Sequence, residues 1–494
     1  MTTPNNLFSS EFFAWMGFTN SASSKETMTT DAFGMHKVIV CMCANGKIVG
    51  LHSNSGRVVY GVGLDSEEFA PREETPLIVS RSAAHFPHEP TVYAFGTSQQ
   101  SGEFVAWTFN PITGKAEQAQ GLPSNIVLIS SLGHHDHSFA RPILLLSDDD
   151  SVHVLPATAD AHSTVQQMIP NLFLHSVDMN NGLAQGYEVI SKDSKLYGRQ
   201  SWSVGINTET DTIVAVSRKP QYEKNPLQFQ MIGDAQEKLL YKYLNKNQMA
   251  MATLSNTGLL TILLLDTVTG NVIQRLTHRD AAEPVHVVQW VNNVVYTYQN
   301  IQEQRTEVVS MSLFESSNPD SRQEFESSKS TQPIAIRQAM VLGATVDTLA
   351  VAQTAQGLAS NTILFGLRTG GLLSLSEKLL DPRRPVGKDA KPVLGLTPYT
   401  PLIPMLPINL LNYYHRIHRF TAVRSASTLL ESRAVVFAHG LDMFSCSITP
   451  AGSFDQLGEE FNRPFLLACL IGITVAAGIT EYFAREKKLK QKWK

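Results

Sequence analysis

The chain has 494 residues, of which 43% are apolar and 17% charged, and its formal net charge is −4. This composition is that of a folded globular protein, so it excludes a disordered chain and the basic face of a nucleic-acid-binding protein. The four cysteines are Cys41, Cys43, Cys446 and Cys469. Cys469 lies in a long apolar segment near the C-terminus, so the sequence shows no disulfide framework.

Residues 1–30 are predicted to form an amphipathic helix and a linker. Phe8, Phe12, Trp15 and Met16 recur at helical spacing and share one face. A short helix with such aromatic residues is typical of a segment that lies at the membrane–water interface, so Phe12 and Trp15 are predicted interface residues. A helix docked on its own domain is the alternative, and composition does not separate the two.

Residues 31–380 are predicted to form β-propeller blades. Strands at residues 37–43, 47–51 and 57–62 form a meander whose first turn is Asn45-Gly46, a strong hairpin signal. A turn that opens with Asp, Asn or Ser and closes with Ser-Gly or Thr-Gly recurs as SNSG, NPITG and DTVTG. Further strands with this pattern are predicted at residues 104–109, 142–146, 152–155, 259–265, 271–275, 285–290, 293–298, 362–367 and 372–375.

Repeated short meanders over roughly 400 residues favour a mainly β protein with a WD40-like or quinoprotein-like β-propeller. A β-sandwich is the competing architecture, but it needs fewer strands than the sequence predicts. The number of blades cannot be read from the pattern. If the chain is part of a longer protein, the ring need not close within it.

The segment 381–463 is predicted to be a proline-rich connector followed by the final strands of the domain. In Asp381-Pro-Arg-Arg-Pro385 the prolines stiffen the backbone, so Arg383 and Arg384 should point in alternate directions. At least one arginine should bind a carboxylate or carbonyl oxygen in the domain or in a partner, and a solvated basic turn is the alternative. Asp381, Arg383, Arg384 and the tight-turn residue Gly370 are the predicted structural or partner contacts.

Residues 464–483 are predicted to form one transmembrane helix, followed by a basic tail at residues 484–494. The run from Phe465 to Phe483, which holds no charge until Glu481, would span roughly 28 Å as a helix, close to the thickness of a bilayer. Positive residues favour the cytosolic side, so the tail is expected in the cytosol and the bulk of the chain across the membrane. A buried C-terminal core helix is the alternative. Residues 1–20 lack the features of a signal peptide, which predicts that the chain is the C-terminal part of a longer protein.

Four small residues recur every fourth position in the predicted span, namely Ala468, Gly472, Ala476 and Thr480. Small side chains on one stripe let a second helix approach closely. The stripe is therefore predicted to pack against spans of partner subunits, with a lipid-facing stripe as the alternative.

No catalytic constellation, metal site or cofactor site is predicted. The cluster at residues 134–137 (HHDH) and the run at residues 148–150 (DDD) lack the spacing of zinc or calcium sites, and both are interpreted as surface turns. Cys41 and Cys43 share one face of a strand, which indicates packing. A quinone-dependent propeller dehydrogenase would need cofactor-stacking tryptophans at a central channel, and the whole chain has five.

Several stretches carry a resemblance to a known family. They are LYKYLN, LLLDTVTGNVI, EPVHVVQWVNNVVYTYQN, LFGLRTGGLLSLSEKLLDPRRP, LESRAVVFAHGLDMF, FDQLGEEF and the terminal KLKQKWK. In order and spacing these resemble subunit 1 of the ER membrane protein complex. The resemblance is strong over residues 240–494, clear over residues 31–60 and looser between 61 and 239.

The resemblance implies a longer luminal protein with a signal peptide, two β-propellers, an interfacial brace helix near residues 7–18, one span and a short cytosolic tail. It also implies a non-catalytic scaffold that supports insertion of tail-anchored, weakly hydrophobic and multipass proteins into the endoplasmic reticulum membrane. The expected partners are the other subunits of that complex, the lipid bilayer and client transmembrane proteins, with no nucleic acid and no cofactor. The alternative is a single-pass propeller receptor or lectin-like binding protein.

Overall fold

The computed structural model describes residues 31, 33–64, 69–72, 76–118, 122–123, 125–193, 195–219, 229–231, 239–315, 326–329, 332–387, 396–450 and 462–492. Within these ranges the chain forms 30 β-strands, two α-helices and three short 3-10 helices. The 3-10 helices lie at Ser327–Lys329, Glu377–Leu379 and Pro407–Asn409.

The strands form seven successive antiparallel sheets, each built mainly from neighbouring segments of the chain. Sheet 1 contains β1 (Val38–Met42), β2 (Lys47–His52) and β3 (Val58–Gly63). Sheet 2 contains β4 (Phe69–Pro71), β5 (Leu77–Arg81), β6 (Thr91–Ser98), β7 (Phe104–Phe109) and β8 (Ala116–Gln118). Sheet 3 contains β9 (Ile126–Ser131), β10 (Ile143–Ser147), β11 (Ser151–Leu155), β12 (Phe173–Asp178), β13 (Leu183–Lys192) and β14 (Lys195–Gly205). In sheet 3 the strand order is β12-β13-β14-β11-β10-β9, so this sheet is extended by a second meander.

The chain continues with four further sheets, of four, four, three and three strands. Sheet 4 contains β15 (Asp211–Arg218), β18 (Gln248–Ser255), β19 (Leu260–Asp266) and β20 (Val272–His278), and sheet 5 contains β21 (Ala281–Trp290), β22 (Asn293–Asn300), β23 (Arg305–Phe314) and β24 (Ile334–Leu342). Sheet 6 contains β25 (Val346–Ala352), β26 (Thr362–Leu367) and β27 (Leu372–Ser376). Sheet 7 contains β28 (Ala422–Ser427), β29 (Ala434–His439) and β30 (Met443–Ile448). A separate pair, β16 (Phe229–Met231) and β17 (Leu239–Tyr241), lies between β15 and β18 in sequence.

The recurring turn motif has the same structure in its NPITG and DTVTG copies. In DTVTG, Asp266 Oδ1 accepts the backbone N–H groups of Val268 and Thr269 at 2.9 and 3.1 Å, and Gly270 closes the turn with φ +71. In NPITG, Asn110 Oδ1 accepts the N–H of Ile112 at 2.9 Å in the same way. An Asx turn followed by a glycine with positive φ reverses the chain tightly, which explains why short strands repeat around it.

A hydrophobic cluster joins each sheet to the next in chain order. Representative buried members, from the junction of sheets 1 and 2 to that of sheets 6 and 7, are Ile48 with Val92, Phe95 with Ile129, Trp202 with Met251, Ile262 with Tyr296, Val308 with Phe365, and Leu364 with Val436. The ends of this series also meet, because the Leu429 N–H donates to the Phe33 carbonyl oxygen at 2.9 Å. The predicted mainly β, propeller-like fold is confirmed, with seven blades.

Two α-helices complete the fold. Helix α1 (Ala159–Met168) was not predicted; Thr158 caps its N-terminus, and only Ala161 and Val165 are buried against sheet 3, so its apolar period is weak. Helix α2 (Arg463–Lys492) contains the predicted span. Among the described residues it is the one helix long and apolar enough to cross a membrane, with mean hydropathy 1.8 and none of its apolar window buried. The alternative of a buried core helix is therefore wrong.

Candidate functional site: a strap on sheets 5 and 6

Residues 396–420, here called the strap, run along the outer edges of two neighbouring sheets. Leu402 pairs in parallel with Val341 of β24, and Leu410 pairs antiparallel with Leu373 of β27. Val341 donates its N–H to the Pro401 carbonyl oxygen at 2.7 Å, and the Val341 carbonyl accepts the N–H of Ile403 at 2.9 Å. The strap thus covers backbone groups that an edge strand otherwise leaves open to other chains.

Arg384 holds the first part of the strap. Its side chain is buried, Nη1 donates to the Leu379 carbonyl oxygen at 2.7 Å, and Nε donates to that of Thr397 at 3.2 Å. Nη2 donates to the Pro398 carbonyl oxygen and to Thr400 Oγ1. Burial lowers the pKa of Arg384, but a guanidinium keeps its proton at any ordinary pH. The buried cation therefore fixes the strap by donating to backbone oxygens.

Arg383 points elsewhere and binds Asp381. Its Nη2 donates to Oδ2 at 2.6 Å and its Nε to Oδ1 at 3.0 Å, in a bidentate ion pair that is largely buried. The backbone N–H of Arg383 donates to the same Oδ1 at 2.9 Å. Both arginines are engaged within the domain, and a role for them in contacting a partner stays a prediction.

Gly370 and Asn412 hold the last part of the strap. The Gly370 carbonyl oxygen accepts the N–H of Ile417 at 3.0 Å and Asn412 Nδ2 at 2.8 Å. The buried Asn412 also accepts the N–H of Leu372 through Oδ1 at 2.6 Å. Two predicted residues, Gly370 and Arg384, therefore lie at opposite ends of one segment. Asn412 was not predicted from the sequence, because the residues that flank it do not indicate that its side chain forms hydrogen bonds with Gly370 and Leu372, about 40 positions away.

The strap divides into an inner and an outer set of side chains. Ile403, Ile417 and Phe420 are buried and attach it to the sheets. The outer set, called the outer residues below, is large, apolar and exposed: Leu402, Met405, Leu406, Ile408, Tyr413 and Tyr414. Ile408 is 86% exposed and Tyr414 is 90% exposed, which is far from the usual state of such side chains. The outer residues therefore form a surface suited to binding, and none of them is a typical catalytic nucleophile or base.

Glu431 is a second structural group that sequence analysis missed. Its buried carboxylate accepts the N–H groups of Gln356, Leu358 and Ala359 at 2.9, 2.7 and 3.1 Å, and the hydroxyl of Thr354. Burial alone raises the pKa of Glu431, but these hydrogen bonds outweigh burial and lower it below its usual value. The residue therefore stays ionised and ties the loop after β25 to the segment between β28 and β29.

The residues that resembled metal ligands serve the local backbone. Asp136 Oδ1 accepts the N–H groups of Ser138 and Ala140, and Asp149 Oδ1 accepts that of Ser151. In the part of the chain that the structure describes, no three His, Cys, Asp or Glu residues are placed to hold a metal ion. Burial raises the pKa of the free Cys41 thiol to about 11, so it has little thiolate at neutral pH.

Some of the predicted membrane residues lie in the described part of the chain and others do not. The stripe of Ala468, Gly472, Ala476 and Thr480 lies on α2 and is exposed, and a Cβ built on Gly472 meets no atom within 4 Å. The rest of the described chain therefore does not cover the stripe, and its packing against other helices stays a prediction. Phe12 and Trp15 lie outside the described residues.

Comparison with known proteins gives the family. The family model described as "ER membrane protein complex subunit 1, second beta-propeller" matches residues 34–451. ER membrane protein complex subunit 1 of Gallus gallus is 30% identical over 478 residues, which is 95% of this chain and 48% of that protein, and the Xenopus laevis protein matches equally. The Saccharomyces cerevisiae protein is 25% identical over 95% of this chain and 62% of its own length.

The chain spans about half the length of the vertebrate relatives that it matches. Among solved structures, the WD40 domain of SCAP from fission yeast aligns with 85% of this chain and 97% of its own, at 9% identity and a TM-score of 0.32. The family is shown by the match of the family model over residues 34–451, which contain the seven sheets described above. The chain belongs to the ER membrane protein complex subunit 1 family, and residues 34–451 correspond to the second β-propeller of that family.

Proposed function

We propose that this chain acts as a non-catalytic scaffold subunit of the ER membrane protein complex and is anchored in the endoplasmic reticulum membrane by α2. In this role it supports insertion of tail-anchored, weakly hydrophobic and multipass proteins by the complex. The single observation that carries the proposal is the apolar surface of α2, none of which is buried by its own chain. Such a surface needs lipid or other membrane helices around it.

The charges around α2 support one orientation. The tail carries Arg485 and five lysines, and it follows an apolar run without charge from Phe465 to Thr480. Two i,i+4 ion pairs, Arg485 with Glu481 and Lys490 with Glu486, compensate part of this charge. The remaining excess of lysine favours a cytosolic tail, which leaves the propeller in the lumen.

The polar groups of the propeller support a scaffold role. The side chains of the buried residues Arg384 and Glu431 form hydrogen bonds with backbone groups. Asp266 accepts Asn245 Nδ2 at 2.9 Å and Ser327 Oγ at 2.8 Å in addition to its turn. Groups saturated in this way stabilise loops and are not free to transfer protons to a substrate.

Affinity purification from membranes in a mild detergent tests the assignment. The tagged chain is expected to recover several other subunits in fixed ratios, and depletion of the chain is expected to reduce insertion of a tail-anchored client. Insertion of a strongly hydrophobic client serves as the control. Recovery of the chain by itself overturns the proposal and favours the single-pass propeller receptor.

Protease protection on sealed microsomes tests the orientation separately. An epitope after Lys494 is expected to be digested, whereas the propeller is expected to survive until detergent opens the vesicles. Digestion of the propeller with survival of the C-terminal epitope overturns the luminal assignment.

A further inference from the structure

The strap exposes more than its own packing needs. Six large apolar side chains, the outer residues, point away from the core within the thirteen positions from Leu402 to Tyr414. The rings of Tyr413 and Tyr414 lie 4.0 Å apart between their centroids. Leu441, which is about half exposed, lies beside the end of the strap, because its N–H donates to the His418 carbonyl oxygen at 2.9 Å.

The charge of the same segment is unlike that of the rest of the chain. Residues 390–430 contain no Asp or Glu, although the whole chain is net acidic. Arg416 and Arg419, which follow the outer residues closely in sequence, are exposed. Asp442 lies against this end of the strap, and its carboxylate binds His418 Nδ1 at 3.0 Å. The surface therefore combines apolar side chains, tyrosines and positive charge.

This combination is the one that binds at a lipid headgroup surface. Aliphatic side chains enter the boundary of the acyl chains, tyrosines prefer the headgroup level, and arginines are attracted to lipid phosphates. A protein partner for an apolar surface needs no such excess of positive charge and no absence of acidic residues.

The chain itself brings this surface near a membrane. Fourteen residues, 449–462, join the last strand β30 to α2. Fully extended, they reach about 50 Å at most, so the propeller stays within that distance of the point where α2 enters the bilayer. Tethering at this range raises the effective concentration of the bilayer for even a weak surface contact.

We propose that the outer residues of the strap, with Arg416 and Arg419, form a second membrane contact that lies on the lipid headgroup surface and orients the propeller on the bilayer. This proposal depends on α2 spanning the membrane but not on the assembly of the complex. The strap that carries this contact is attached to the edges of sheets 5 and 6. Its buried inner residues therefore hold the membrane-facing residues in fixed positions.

Photo-crosslinking in intact membranes tests the proposal. Ile408 and Tyr414 are replaced, one at a time, by p-benzoylphenylalanine in the full chain expressed in cells, the membranes are irradiated, and adducts are identified by mass spectrometry. Ile301 is the matched control, because it is an isoleucine in sheet 5 between β22 and β23 with 52% exposure.

Phospholipid adducts at positions 408 and 414 are expected to exceed those at position 301 by about tenfold, since burial of side chains of this size favours the lipid-bound state. An adduct to a protein chain at 408 and 414 overturns the lipid contact and identifies a subunit interface in its place, without touching the scaffold function. Equal adduct yields at all three positions also overturn it. Loss of the other subunits from the purified complex counts against the scaffold function alone.

A charge variant gives a second measurement on the same complex. Arg416→Gln with Arg419→Gln is expected to reduce the lipid adduct at position 408 about threefold, because the phosphate attraction of two arginines is lost. An unchanged yield contradicts the part of the proposal that assigns the arginines to lipid phosphates.

Discussion

Ile417 donates its backbone N–H to the carbonyl oxygen of Gly370 at 3.0 Å, and this bond fixes the end of the strap against the turn between β26 and β27. Gly370 has φ +89, a conformation that residues with a Cβ rarely adopt. A Cβ on Gly370 would lie 3.0 Å from Arg416 Cβ and 3.1 Å from the Ile417 carbonyl oxygen. Backbone strain and crowding therefore both select glycine here.

The change Gly370→Ala should lower the free energy of unfolding by about 2–3 kcal/mol, from strain and crowding together. Gly387→Ala is the matched control, because Gly387 has φ +103 and an added Cβ there meets nothing within 4 Å. The control should cost about 1 kcal/mol through strain alone. Thermal and denaturant unfolding of the full chain in detergent measures both. Equal losses would show that the strap does not press on Gly370.

The change Arg384→Met should destabilise the propeller by about 3 kcal/mol, because the carbonyl oxygens of Leu379, Thr397 and Pro398 would lose their buried donors. Methionine keeps most of the apolar stem, so the loss reports the hydrogen bonds. Arg383→Met should cost less, about 1.5 kcal/mol, since Asp381 keeps its hydrogen bond to the backbone. Unfolding of both variants, followed by circular dichroism, tests the order. A larger loss for Arg383→Met would contradict the assignment of Arg384 as the anchor of the strap.

The stability that Glu431 provides should depend on pH. Hydrogen bonds lower the pKa of Glu431 in the folded state below its usual 4.5, so the unfolded chain takes up the proton first as pH falls. The stabilisation is complete above about pH 4.5 and is lost as pH falls through the folded-state pKa. Glu431→Gln should therefore be less stable than the natural chain by about 2 kcal/mol at pH 7, with a smaller difference at pH 3.5. Denaturant titrations at the two pH values measure this, and a constant difference would mean that the charge of Glu431 is irrelevant.

The small-residue stripe of α2 should matter for assembly. Gly472→Leu should reduce recovery of partner subunits several-fold, because it fills the path by which another helix would approach. Gly478→Leu makes the same change in the same helix, six residues further along and on a different face. Quantitative mass spectrometry of the purified complexes compares the two variants. Similar recovery from both would show that the stripe faces lipid.

Twelve of the thirty strands were predicted, and each of these depends on a local pattern. β7 and β26 coincide with the predicted residues 104–109 and 362–367. The Asx turns at Asn110 and Asp266 can be recognised in the sequence, because in each a polar residue is followed four positions later by glycine. Alternation of apolar residues and turn chemistry act over a few positions. These are the interactions that one sequence displays directly.

Blade number and the strap were not predictable for the opposite reason. The partners of Glu431 lie more than seventy positions away in sequence, and Asn412 reaches back to Gly370 and Leu372. No local pattern marks a glutamate that is to be buried under a distant loop. The motif around Arg384 could be recognised as rigid and basic, but the oxygens that it binds became known only from the fold.

The bond between Leu429 and Phe33 has a consequence for the order of events during synthesis. The first and last sheets can meet only once the chain has been made as far as the final strands, and helix α2 follows after only fourteen more residues. Until then, the exposed flanks of sheets 1 and 6 lack their neighbour and are open to wrong pairing. The propeller and the helix proposed as its anchor are therefore completed almost together, so a delay in translation near residue 430 would leave an unfinished ring without that helix.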